Sequence, residues 1–409
     1  MTELTELIQP ALADARTTCP EPGEVRDGQR RHVRGFTASE RFNLAGGGIA
    51  AVALATLLFG WFAPLSGALG WLVVAFVTFL GLYVLLVSLE ADIQEVKDRL
   101  ASVLFASAAI LLFGSLVFII VYTLARGSEA LTHLNFFTQT MEFSGPLDPL
   151  TNGGIAHAIV GTLIQISIAL AIAVPLGIGT AVFLNEVGGR FAKFVRTVSD
   201  AMTALPSIVA GLFVYAAVIQ AVTHERSGFA AGLAITVMML PIIIRSADVV
   251  LRLVPGNLRE ASYALGSSKL RTVWHVVLPT ARSGLVTSVI LGTARGIGET
   301  SPVLLTSGVT AAMNTDPFSG PMISLPLQVF DFVRSPEPTM VARGFGAAAV
   351  LLVLVLTLFV IARALGGRAP GDLSDRQRRA ATSASARDLQ RFAARTSVSV
   401  NSGQVGEPT

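Results

Sequence analysis

Cysteine is almost absent: Cys19 is the only one in 409 residues. An intrachain disulfide and a cysteine-based zinc site are both excluded. The five histidines form no HxxxH or HxH pair, so no local metal motif stands in the chain. There is no Walker A sequence, which excludes ATP hydrolysis by that route. Charge is scarce as well. Only 14% of residues are Asp, Glu, Lys or Arg, where a soluble domain carries about a quarter. The N-terminal residues lack the basic start, short apolar core and cleavage site of a secretory signal.

What fills the chain instead is apolar. Hydrophobic residues make up 52% and the mean hydropathy is +0.65. They fall into runs of roughly 20 residues, the length a membrane-spanning helix requires. The pattern predicts an all-α polytopic membrane protein with eight spans, about 44–63, 69–89, 101–125, 155–184, 200–222, 228–250, 281–311 and 341–365. Pro175, Pro206 and Pro241 fall inside three of them, and a kink is expected at Pro175. Residues 1–40 read as a flexible polar tail. The uncharged stretch Pro64-Leu65-Ser66-Gly67 reads as a tight outer turn, and Glu90 to Arg99 as a charged inner loop. Residues 312–340 read as a long proline-rich outer loop, and 366–409 as a disordered tail.

Basic residues test the topology. Arg126, Arg226, Arg334 and Arg343 are assigned to outer loops and Arg295 to a span; the other Lys and Arg residues fall on the opposite side. This positive-inside bias places both termini in the cytoplasm. It accounts for the pI near 9.3 without invoking nucleic acid.

Two stretches carry chemistry. The first is residues 255–280. Pro255-Gly256 stops the preceding helix, Glu260 is placed in the first turn of the next one, and Gly266 lets the chain turn. Lys269, Arg271 and His275 then alternate with Leu270, Val273, Trp274 and Val277 at helical spacing, and after Leu278 Pro279 is expected to close the unit. Two short helices with one polar and one apolar face make a docking knob. The plainer alternative is a loop helix lying on the lipid surface.

The second is the pair Arg295 and Glu299, four residues apart and so on one helix face. A charge at the bilayer centre costs about 2.5–3.5 kcal/mol, so it is retained where it meets a partner, a cavity or a transported ion. Ser288, Gly292 and Gly296 form a small-residue stripe beside it, and Thr300-Ser301-Pro302 loosens the backbone beyond. One reading is a self-neutralising pair that holds helices together. The other is an anion site. A guanidinium matches a tetrahedral oxyanion with paired donors. The carboxylate would position Arg295 when the site is empty, or accept a hydrogen bond from a protonated oxyanion. Phosphate carries such a proton near neutral pH and sulfate does not.

The spacing Glu260-Ala261-Ser262, then Gly266, then Val276-Val277-Leu278-Pro279 resembles the EAA loop of ABC importer permeases. It departs at Ser262, where Ala is usual, and at Val276, where Ile is usual. Further motifs are Gly153-Gly154-Ile155, Ala158-Ile159-Val160-Gly161-Thr162-Leu163, Leu205-Pro206-Ser207-Ile208-Val209-Ala210-Gly211 and Arg295-Gly296-Ile297-Gly298-Glu299-Thr300. With these, residues of about 100–365 resemble the PstA family, permease subunits of the bacterial phosphate ABC importer.

The resemblance implies a type I importer core of six transmembrane helices over 100–365, with 255–280 as the ATPase-coupling loop. Residues 41–99 would be an extra hairpin and charged loop outside the family's usual pattern. It also implies a substrate-pathway role for Arg295 and Glu299, and coupling roles for Glu260, Ala261, Ser262, Gly266, Leu278 and Pro279. The implied partners are a PstC-like sister permease, two PstB-like ATPase subunits and a PstS-like extracytoplasmic phosphate-binding protein. ATP and magnesium would sit in the ATPase, with no cofactor in this chain. A permease for molybdate or sulfate, a phosphate-sensing membrane scaffold and a secondary transporter remain alternatives at this point.

Overall fold

The computed structural model describes residues 38–62, 67–89, 91–366, 379–385 and 387–389. The expected tail over 1–37, the turn at Pro64-Leu65-Ser66 and most of the C-terminal tail lie outside the described residues. Within that last tail, 379–385 and 387–389 are helical rather than disordered.

Among the described residues the chain is helical, with no strand. The long elements are α1 (Ala38–Leu57), α2 (Ala68–Ser88), α3 (Ile93–Leu131), α4 (Ala156–Glu186), α5 (Gly189–Thr203), α6 (Ser207–Val214) and α7 (Gly228–Arg252). The chain continues through α8 (Gly256–Ala264), α9 (Lys269–Thr272), α10 (Leu278–Ile297), α11 (Ser301–Thr306), α12 (Leu325–Val333) and α13 (Pro338–Gly366). Seven helices are long and apolar enough to cross a membrane, or eight if a bent pair is counted as one span.

The chain divides into two compact units, Met1–Leu116 and Val117–Thr409. In the first, α1 packs along α2, and Phe79 meets Tyr83 with ring centroids 5.9 Å apart. The charged stretch expected as a loop is helical from Ile93 onward. Glu95 and Arg99 pair along the helix at 2.7 Å, and Asp92 Oδ1 accepts from Ile93 N at its start.

In the second unit, α4 and α7 form the centre. Their facing residues are small: Ala169 and Ala173 on α4, Ala231 and Ala234 on α7 are fully covered. Gly177 and Gly232 bring the backbones closer still. A Cβ at Gly177 would lie 2.6 Å from Ile243 Cγ2, and one at Gly232 2.8 Å from Ile168 Cγ2. Small residues at such seams allow dispersion contacts that lipid cannot displace. Helix α4 runs uninterrupted through Pro175, and α7 through Pro241.

Three boundaries differ from the sequence expectation, each at a proline or glycine. The span expected over 200–222 is a bent pair, α5 against Ser207–Thr223 at 108°. Pro206 lacks a donor and forces Leu205 out of helical geometry. The stretch holding Arg190, Lys193 and Arg196 is therefore the amphipathic helix α5, with Phe191, Phe194 and Val198 exposed on it. The span expected over 281–311 begins earlier and ends at Ile297, and a short α11 follows after Gly298 and Thr300. Finally, Pro279 does not close the unit before it. The helix passes through it, because the turns over Val273–Val277 are π-helical. In a regular α-helix the ring would meet the carbonyl four residues back.

The segment before α4 is ordered by side chains. Asn135 Nδ2 donates to the carbonyls of Leu150 (2.9 Å) and Gly153 (2.8 Å). Gly153 has φ +75°. A Cβ at Gly154 would sit 2.5 Å from the carbonyl oxygens of Asn135 and Phe136. From α13, Arg343 Nη2 donates to the carbonyls of Asp148 (3.2 Å), Pro149 (2.8 Å) and Asn152 (2.8 Å). Arg343 is 1% exposed and lies inside the helix, not in the outer loop expected for it. Arg343→Met would leave those carbonyls without their charged donor. We expect a loss on the order of 3 kcal/mol, read as earlier thermal unfolding of the purified protein in detergent; an unchanged unfolding temperature would contradict it.

Candidate functional site

Helix α10 carries its small residues on one face, and that face meets α7. A Cβ at Gly292 would lie 2.5 Å from Ile243 Cγ1, and one at Gly296 2.5 Å from Met239 Sδ. Ser288 on the same stripe is buried. The close approach fixes α10, and with it the direction in which Arg295 leaves the last turn.

Arg295 and Glu299 are brought together, but not on one continuous helix. Arg295 lies in the final turn of α10, and Glu299 two residues beyond its end. Arg295 Nη2 stands 3.0 Å from Glu299 Oε1, an ion-pair contact. That oxygen makes no aligned hydrogen bond to a protein donor. The two side chains differ sharply in exposure: 56% for Arg295 and 7% for Glu299. The carboxylate is therefore a buried anchor, and the guanidinium projects from the surface of this chain. The remaining guanidinium donors have the fork geometry that receives a tetrahedral oxyanion. This arrangement can hold an anion without moving the acid.

Over 255–280 the chain forms one short helix, α8, a turn at Gly266, and then the start of the continuous helix Lys269–Ile297, where the sequence reads as two short helices. Gly266 takes φ +79° with open space around it, so a side chain there is opposed by the backbone conformation alone. Ser262 is buried and its Oγ lies 2.9 Å from Thr272 Oγ1, which ties α8 to α9. A serine in place of alanine thus supplies a hydrogen bond between α8 and the start of the helix that follows. Two expectations are corrected. Helix α8 begins at Gly256, so Glu260 lies past its first turn and its macrodipole pairing is weak. Also, the apolar face of the second helix is divided: Val273 and Val277 are buried, while Leu270 and Trp274 are 70% and 63% exposed. Glu260, Ala261 and Pro279 are exposed and Leu278 is half-buried.

Sequence reasoning missed the polar joint beneath this loop. Asp248 on α7 receives Asn185 Nδ2 at 2.7 Å and pairs with Arg252 at 2.7 Å and Arg196 at 3.2 Å. Arg259 on α8 pairs with Glu186 at 3.3 Å. The signal present was the spacing of Phe191, Phe194 and Val198, which gives α5 an apolar face and leaves Arg196 on its polar side.

Residues 173–369 match the family described as binding-protein-dependent transport system inner membrane component. The phosphate transport system permease protein PstA 1 of Mycobacterium tuberculosis (strain ATCC 25618 / H37Rv) is 39% identical over 266 residues, 65% of this chain and 86% of that protein. PstA of Yersinia pestis is 36% identical over 273 residues, 66% of this chain and 90% of that protein. The chain belongs to this family of transporter permeases. An inward-facing structure of the MetNI methionine ABC transporter aligns over 52% of this chain and 91% of that chain, with 19% identity and a TM-score of 0.39.

Proposed function

We propose that this chain is the transmembrane permease subunit of an ATP-driven phosphate importer. It forms half of the translocation pathway and couples it to ATPase subunits. The observation that carries the substrate is the Arg295–Glu299 pair, a buried carboxylate holding an exposed guanidinium at a helix break. The names of the curated relatives support phosphate over molybdate or sulfate.

In this reading a PstC-like sister permease supplies the other wall of the pathway. Two PstB-like ATPases dock below, with ATP and magnesium held in them, and a PstS-like protein delivers phosphate from outside. The chain sits in the bacterial plasma membrane with both termini cytoplasmic, as its basic residues are distributed. Glu260, Ala261 and the turn at Gly266 form the exposed docking surface. ATP-driven closure of the ATPases would tilt this loop as a rigid body and open the pathway to the opposite side.

The test is uptake into proteoliposomes holding the whole complex, with phosphate, sulfate and molybdate compared. Phosphate uptake driven by ATP is expected, with little of the other two. Glu260→Ala is expected to weaken ATPase docking and cut uptake about tenfold, roughly 1.4 kcal/mol. Uptake of sulfate or molybdate in preference to phosphate would overturn the substrate, and full uptake by Glu260→Ala would overturn its place in docking.

A further inference from the structure

The last two residues of α4 sit at a junction of four helices. Asn185 reaches Asp248 on α7, where Arg196 of α5 and Arg252 of α7 also converge. Its neighbour Glu186 reaches the coupling loop, through Arg259 Nη2 at 3.3 Å. The Glu186 side chain is 9% exposed. It borders an apolar groove of about 750 Å³ between α4 and the loop, lined by Val174, Ile178, Val182, Leu270 and Trp274. A carboxylate in such surroundings requires its counter-charge, and removing one partner of a buried pair leaves the other uncompensated. The contact is an ion pair without an aligned hydrogen bond. Arg259 Nη2 donates instead to the carbonyl of Leu251 at 3.0 Å.

The other end of α4 grips the segment that follows the Arg295–Glu299 region. Thr162 Oγ1 accepts from Leu325 N at 2.7 Å, Gln165 Nε2 donates to Met322 O at 2.7 Å, and His157 Nε2 lies 3.0 Å from Gln328 Oε1. Met322 N in turn donates to Ser307 O at 3.0 Å, one residue past α11. A contiguous line of contacts therefore runs from α8, through Glu186 and the length of α4, to the helix that begins just after Glu299. Contiguity alone does not make a transmission path; an element with two arrangements is also required. In the importer reading that element is the coupling loop, which turns with the ATPases, and the Arg259–Glu186 contact is its link to α4.

We propose that Arg259 is a positioning residue that passes displacement of the coupling loop to α4 by way of Glu186. This rests on the importer reading above. Without the pair, the ATPases still bind Glu260 and its neighbours and still hydrolyse ATP, but the helix that holds the far segment no longer follows.

The experiment measures phosphate uptake and ATP hydrolysis together in proteoliposomes of the full complex. The chains are wild type, Arg259→Gln, Glu186→Gln and the exchanged pair Arg259→Glu with Glu186→Arg. Each single variant is expected to co-purify with ATPase and to hydrolyse ATP within about threefold of wild type. Phosphate moved per ATP is expected to fall about tenfold, and the exchanged pair to recover most of it. An unchanged ratio in both single variants would overturn the proposal. Loss of the ATPase from the complex in both would also overturn it, since the pair would then only shape the docking surface. A wild-type complex that moves another oxyanion refutes the phosphate reading alone, because the ratio is then measured with that anion.

Discussion

Arg295→Gln is expected to abolish phosphate uptake, by at least about a hundredfold, or roughly 2.7 kcal/mol, while the complex still assembles. The guanidinium is 56% exposed, so its removal creates no cavity in this chain, but it leaves the buried Glu299 carboxylate without its counter-charge, which Glu299→Gln beside it controls for. What is lost is the paired donor that meets an oxyanion. Glutamine keeps a donor but neither the charge nor the fork. Arg295→Lys restores the charge as a point and is expected to recover only part of the rate. Glu299→Gln should behave differently. The buried acid is replaced by a neutral side chain of the same shape, Arg295 loses its anchor, and discrimination between phosphate and sulfate should narrow. Uptake by Arg295→Gln at the wild-type rate, with assembly intact, would make the pair structural and remove the site from the pathway.

That pair was legible because its two members stand four residues apart, and the EAA spacing and the small-residue stripe are likewise patterns within one stretch of chain. The spans were legible from apolar run length, which the bilayer sets and packing hardly alters. The misread points are those where a local signal was outvoted. Leu205-Pro206 stood inside an apolar run that length alone assigns to one span, yet the missing donor turns the chain by 108°. Gly298 to Thr300 likewise ended α10 inside an apolar run. The sequence places Arg343 in an outer loop because the carbonyls it serves lie between Asp148 and Asn152, nearly two hundred residues earlier. The joint at Asn185 and Glu186 is of the same kind, since Asp248 and Arg259 sit more than sixty residues away. The count of basic residues says on which side of the membrane Arg259 and Arg343 fall, whereas their partners are fixed by how distant segments converge.

Gly161→Ala is expected to prevent formation of a stable complex, whereas Gly179→Ala, on the same helix, should be neutral or slightly stabilising. Both replace glycine by alanine within α4, so both gain about 1 kcal/mol of helix propensity. The difference lies wholly in what the new methyl meets. At Gly179 nothing stands within 4 Å. At Gly161 the methyl runs into the carbonyl oxygen of Ile323, which is backbone and cannot rotate aside. The segment around that carbonyl is pinned on both sides, by Gln165 to Met322 O and by Thr162 to Leu325 N. Accommodating the methyl would break one of those bonds or lift α4 from its neighbour, at a cost on the order of 3 kcal/mol. Thermal unfolding in detergent and size-exclusion profiles of the complex read the outcome. If the two variants unfold alike, the 322–325 segment is not held against α4 as described, and the line of contacts from the coupling loop to the Arg295 region loses its far end.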